Sequence, residues 1–156
     1  ESGYQVDVAT VSGETIRADS AVLTPQLRLA DAVVSDYAGV ILPCMAPSED
    51  FGIPPHAVAV VEKAVAEGKP VAAQRGSVAI LAAAGALVGK KFAFSSEVDV
   101  NERPEFKGGM YSGTGVVQDG TILTSGVCPL AADSLGLPDG TEDLTRALID
   151  SLGGNR

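Results

Sequence analysis

The segment Gln74-Arg75-Gly76-Ser77 lies between two apolar stretches, Val71-Ala72-Ala73 and Val78 to Ala84. A buried strand that turns tightly into a helix exposes the turning residue at the mouth of its sheet. It also aims the following backbone N–H groups into the same space. The side chain there is arginine, which stays protonated and has no lone pair to donate, so it is no nucleophile. It suits either of two tasks: holding an anion with the help of the helix start at Ser77–Val78, or pairing with a nearby carboxylate. Ser77 has no histidine near it in sequence and stands where a helix N-cap belongs. His56, the sole histidine, sits beside Pro54 and Pro55, where a solvent-exposed first helical turn is expected. One histidine and two cysteines supply a zinc site poorly. The residues therefore give no catalytic group, no metal site and no cofactor.

Cys44 follows the apolar run Ala38 to Leu42, and Cys128 follows Thr121 to Ser125. Two widely separated cysteines do not make a disulfide framework, and a reducing cytoplasm is the expected compartment. A single bridge between them stays open on sequence grounds. They are either unrelated loop residues or a thiol pair over one pocket. Gln74, just before the turn, is expected to hydrogen-bond loop backbone.

The elements that would position these residues follow from pattern. Tyr4 to Thr10 alternates with period two and predicts a strand. Glu14 to Leu23 has room for a short hairpin arm, and Leu27 to Val34 is short and irregular. Ala38-Gly-Val-Ile-Leu42 and Val71-Ala-Ala73 are unbroken apolar runs, expected as adjacent strands buried on both faces. Pro54-Pro55 opens a helix whose Val58, Val61 and Val65 share a face, with Gly68 just past its end. Phe92 to Phe94 predicts a short strand. Asp119-Gly120 between Val116-Val117 and Thr121 to Thr124 predicts a hairpin. Gly126 to Gly140 has the composition of a long loop. Thr141 is an N-cap candidate for a last helix carrying Leu144, Leu148 and Leu152. Strand, helix, strand, helix with buried runs means a parallel sheet covered on both faces. Ligands then bind beyond the C-terminal ends of the strands, at the turns after Leu42, Ala73 and Ser125.

The 156 residues suit one domain, residues 1–156, and 46% of them are apolar with only 4% aromatic, so the core must be aliphatic. A net charge of −9 and the lack of any basic run beyond Lys90-Lys91 argue against nucleic acid as a partner. The longest apolar run, Val78 to Val88, is too short to span a bilayer, so no membrane association is expected.

The stretch from Gly68-Lys-Pro-Val71 through Gln74-Arg-Gly-Ser77 to Ala84-Gly-Ala-Leu87 and Gly89-Lys-Lys91 resembles, without a gap, the heart of the ThiJ/PfpI family of the class I glutamine amidotransferase-like superfamily. Gly3 to Val8, Leu23-Thr-Pro25, Asp36 to Pro43 and Val117 to Ser125 are similar to other family segments in the same order. The resemblance implies an α/β three-layer sandwich, flavodoxin-like, with a mainly parallel sheet. It also implies a homo-oligomer.

The departures from the family pattern shape the functional expectation. The resemblance puts Arg75 on the catalytic cysteine position at the nucleophile elbow and Gly76 where many members carry histidine. Cys44-Met45 stands for two loop glycines that line the family's pocket. By the same resemblance, Gln74, Arg75, Gly76, Ser77, Cys44, Met45 and Cys128 are the pocket candidates, with both sulfurs on the rim. The family's first strand, central in its sheet, and its first helix have no counterpart here. That is about 20–30 residues at ordinary element lengths, so a further chain or segment is expected to complete the sheet. The expected function is a protein with a degenerate elbow that binds a small anionic ligand or a partner, or serves a structural role. The alternative is a hydrolase, lyase or glyoxalase/deglycase-like enzyme using other residues.

Overall fold

The structure, a computed structural model, describes residues 3–18, 21–45 and 52–153. The chain enters through four short strands. β1 (Ala9–Thr10) pairs in parallel with β4 (Leu27–Arg28), and β2 (Ile16–Ala18) forms a hairpin with β3 (Ala21–Leu23). The strand expected over Tyr4 to Thr10 is thus only two residues long. Its alternation is not used in full because, among the described residues, only Ala9–Thr10 enters a strand ladder; Val6 is 70% exposed. Two 3-10 turns, Leu29–Asp31 and Val34–Asp36, occupy the irregular stretch that follows. Glu67 fastens the second turn. Its carboxylate accepts from Ser35 Oγ at 2.7 Å and pairs with Lys63 and Lys69, which together hold its pKa down at about 2.

The main sheet has four strands in the order β5-β6-β10-β9. β5 (Val40–Met45) and β6 (Val71–Arg75) are parallel neighbours, as are β6 and β10 (Ile122–Ser125); β9 (Val116–Asp119) returns antiparallel on β10. Gly120, at φ 64°, makes the tight reversal at the expected Asp119-Gly120 turn. Side-chain alternation splits the core in two. Val71, Ala73 and Ile122 face α1 (Pro55–Ala66) and α2 (Val78–Ala83), whereas Ala72 and Leu123 face Leu144 and Leu148 of α4 (Thr141–Gly153). This is the three-layer, mainly parallel arrangement that the apolar runs predict. Between α2 and β9 in the chain, β7 (Lys91–Phe92) pairs with β8 (Met110–Tyr111), and Phe92, Phe94 and Phe106 form a small aromatic cluster.

Several expectations are corrected. β5 begins at Val40 and continues through Pro43 to Met45, with a register shift between Leu42 and Met45. Among the described residues it is an edge strand, not one buried on both faces: Ile41 is 44% exposed, and Val40 and Leu42 are half-buried. Pro43 is tolerated because an edge strand leaves one row of backbone groups unpaired. The short strand near Phe92 covers Lys91–Phe92 and stops before Phe94. The buried face of α1 is Ala57, Val61 and Ala64; Val65 is 38% exposed. The stretch from Gly126 to Gly140 holds α3 (Pro129–Leu135), opened by proline at its first position and closed by Gly136 in the left-handed region. Thr141 lies inside α4; its N–H and hydroxyl both donate to Asp139 Oδ1, at 3.0 and 2.7 Å.

Candidate active-site elbow

β6 delivers the chain to the turn fully buried as far as Gln74 and then reverses at Arg75, whose φ of 51° is the only positive value at a non-glycine among the described residues. A backbone held there costs energy and persists only when its surroundings over-determine it. The surroundings here do so. Gly76 N–H donates to Met45 O at 3.1 Å, Ser77 N–H to Gln74 O at 3.1 Å, and Ala79 N–H to Gly76 O at 3.1 Å. The Ser77 hydroxyl donates to Pro43 O, so the buried serine ties the elbow to β5 and makes no side-chain cap on α2, contrary to the N-cap expectation. A carbonyl acceptor within reach wins because Ser77 already has helical backbone angles, from which its side chain cannot fold back onto the first turn. Gln74, 5% exposed, donates through Nε2 to Val127 O at 2.9 Å and to Thr141 Oγ1 at 3.0 Å, joining β6 to the loop after β10 and to α4.

Arg75 turns towards Glu97. Its Nε and Nη2 donate to Glu97 Oε2 at 3.0 and 2.7 Å, and Ser95 Oγ donates to the same oxygen at 2.7 Å. The Ser95 hydroxyl, then the guanidinium, hold the Glu97 carboxyl below its ordinary range. The arginine side chain is 13% exposed and its partner 36%. Ser95 and Glu97 were not legible as site residues. A half-buried arginine asks for a carboxylate, but nothing in the sequence singles out this one among 20 acidic residues.

Cys44 and Cys128 are joined in a disulfide with Cα atoms 6.2 Å apart. Cys128 is fully buried at the start of α3, and Cys44 is half-buried in β5. Cys44, Met45, Gln74, Arg75, Gly76, Ser77 and Cys128 therefore gather at one place, the C-terminal ends of β5, β6 and β10. His56 is not among them. It is exposed on the first turn of α1, beside a shallow groove of about 250 Å³ that also involves Val33, Val60 and Lys63. Among the described residues no three metal-ligating side chains cluster, and no helix is long and apolar enough to cross a membrane.

The sequence profile of the DJ-1/PfpI family matches residues 1–133. The chain belongs to the DJ-1/PfpI family. An uncharacterized protein of Archaeoglobus fulgidus is 32% identical over 126 residues, which span 80% of this chain and 74% of that protein. The ThiJ/PfpI domain protein of Brachyspira murdochii superposes with a TM-score of 0.74 at 15% identity, covering 98% of this chain and 82% of its own. Drosophila melanogaster DJ-1beta gives 0.64 at 24% identity, covering 99% and 83%. At these identities the solved structures establish the shared DJ-1/PfpI fold.

Proposed function

We propose that this DJ-1/PfpI protein catalyses no reaction through a cysteine nucleophile and works by binding, with Arg75 on the family's nucleophile position as the anion-holding group of the elbow. The observation that carries this reading is Arg75 itself: a protonated side chain on a left-handed strand-to-helix turn, anchored by Glu97. Four further features support it. Two of the elbow's amides, those of Gly76 and Ser77, are spent on Met45 and Gln74 carbonyls, which leaves neither for an oxyanion. Ser77 gives its proton to a backbone carbonyl, which is no base for activating a nucleophile. Both thiols are consumed in one disulfide. Glu97 is a poor general base because a hydroxyl and a guanidinium donating to its Oε2 hold its pKa down. The ligand class that fits is a small carboxylate or phosphate, which would compete with the Glu97 carboxylate for the guanidinium fork.

Turnover of a 2-oxoaldehyde such as methylglyoxal and of model peptides is the test, measured on reduced protein before and after thiol alkylation. No turnover is expected in either state. Inorganic phosphate and small dicarboxylates, titrated calorimetrically, should bind wild type and lose at least about tenfold in affinity with Arg75→Met, a loss in line with a charge-assisted bidentate contact. Turnover that alkylation abolishes would overturn the reading. Turnover that survives alkylation would point to a hydrolase, lyase or glyoxalase-like enzyme acting through other residues.

A further inference from the structure

The bridge Cys44–Cys128 spans an obstacle. Met45 stands opposite Arg75 in the β5–β6 register, and Ser125 stands opposite Gln74 in the β10–β6 register. β5 and β10 are thus separated by β6. At about 4.7–4.9 Å per neighbouring strand, they run roughly 9–10 Å apart. The two cysteine Cα atoms are nevertheless 6.2 Å apart. The flanking segments converge beyond the end of β6, so the bridge links the two chains on either side of the strand that turns at Gln74–Gly76.

We propose that Cys44–Cys128 is a reversible thiol–disulfide site that opens and closes the mouth above Arg75. Both ends are held without the bond. On one side Pro43 O and Met45 O accept from Ser77 and Gly76. On the other, Val127 O accepts from Gln74, Ser125 and Gly140, and the Cys128 carbonyl accepts from Ala131 and Ala132. Reduction therefore releases the roof and leaves the strands in place. The two sulfurs also differ in access: Cys44 is half-buried, while Cys128 has no exposed surface. A small dithiol attacks Cys44 Sγ as its thiolate, the Cys44–Cys128 bond breaks, and Cys128 leaves as a thiolate that takes a proton from solvent. The second thiol of the reductant then displaces the Cys44 thiolate, which is protonated in turn. The reductant departs as a cyclic disulfide, so two electrons have passed to the protein. A low-molecular-weight disulfide runs the same steps in reverse. This exchange chemistry is independent of what Arg75 binds.

The test equilibrates the native, full chain in mixtures of reduced and oxidised dithiothreitol, followed by acid quench, alkylation and intact-mass measurement. Two species, carrying no label or two, should interconvert without denaturant. Hydrogen exchange of the 74–77 backbone, and peptide-mapped modification of Arg75 by phenylglyoxal, should run about tenfold faster in the reduced protein, as for a local opening. Cys44→Ser should show the fast rates in every buffer. Wild type in its two redox states gives the same comparison without a substitution, so a misfolded variant does not decide the matter. A bridge that opens only in denaturant is structural and overturns the proposal. So do two thiols that stay free in oxidised dithiothreitol, or equal rates at 74–77 in the two states.

Discussion

At Arg75 a side chain with a Cβ is held at φ 51°, a region where glycine alone is at ease. The penalty for an L-residue there is roughly 1–2 kcal/mol, offset in part by the larger unfolded-state freedom of glycine. Arg75→Ala and Arg75→Gly both remove the contact with Glu97, so their difference isolates the backbone. Urea unfolding should find the glycine variant more stable than the alanine variant by about 0.5–1 kcal/mol. Equal stabilities would mean that the elbow relaxes to an ordinary conformation once the guanidinium is gone. The same residue shows what a sequence can convey about a site. Its type ruled out nucleophilic chemistry at the turn, but its partner Glu97 lies 22 residues on and became visible only with the fold.

The elements meet at the elbow through close backbone approaches that only small residues allow. Gly126, directly after β10, is one. Its N–H donates to Thr114 O at 2.9 Å, and a Cβ there would stand 2.2 Å from Phe94 O and 2.9 Å from Thr114 Cα. Backbone atoms cannot swing aside as a flexible side chain can. Gly126→Ala should therefore cost about 2–3 kcal/mol in thermal or urea unfolding, the range of an overpacked interior. It should also loosen the Val127–Cys128 segment that carries one half of the disulfide. A cost under about 0.5 kcal/mol, the scatter of ordinary surface substitutions, would show that the strand and the loop slide apart freely. Gly126 was legible only as the start of an expected loop, because the element it presses against, the Phe94 backbone, comes from 32 residues earlier in the chain.

At the level of the whole molecule, the outer edge of β5 pairs with no strand among the described residues, and β1 pairs with β4 instead of reaching it. Ile41 on that edge is 44% exposed, and the entry arm leaves Val6, Ile16 and Val22 more than half exposed. An unprotected parallel edge beside apolar surface invites another strand. We expect that strand from a second copy or from chain outside residues 1–156. Light scattering of this chain should give a mass above that of one chain, with the Val40–Leu42 amides slow to exchange. A monomer whose β5 amides exchange within seconds would remove the expectation of both an oligomer and a completing segment.

Local chemistry determined much of this protein from sequence alone. The apolar runs at Ala38–Leu42 and Val71–Ala73 pointed to two adjacent parallel strands, Asp119-Gly120 to the hairpin, and the Gly68 to Lys91 stretch to the family. Those features depend on residues close in sequence, where periodicity and turn chemistry act directly. Only the tertiary structure decided the rest. Whether Ala38 to Leu42 is central or at an edge depends on what lies beside it, which an apolar run cannot record. Ser77 bonds Pro43, Arg75 bonds Glu97, and Cys44 meets Cys128 across 84 residues. Each pairing is set by where β5, β6 and β10 end, and three strand ends come together only when the sheet has formed.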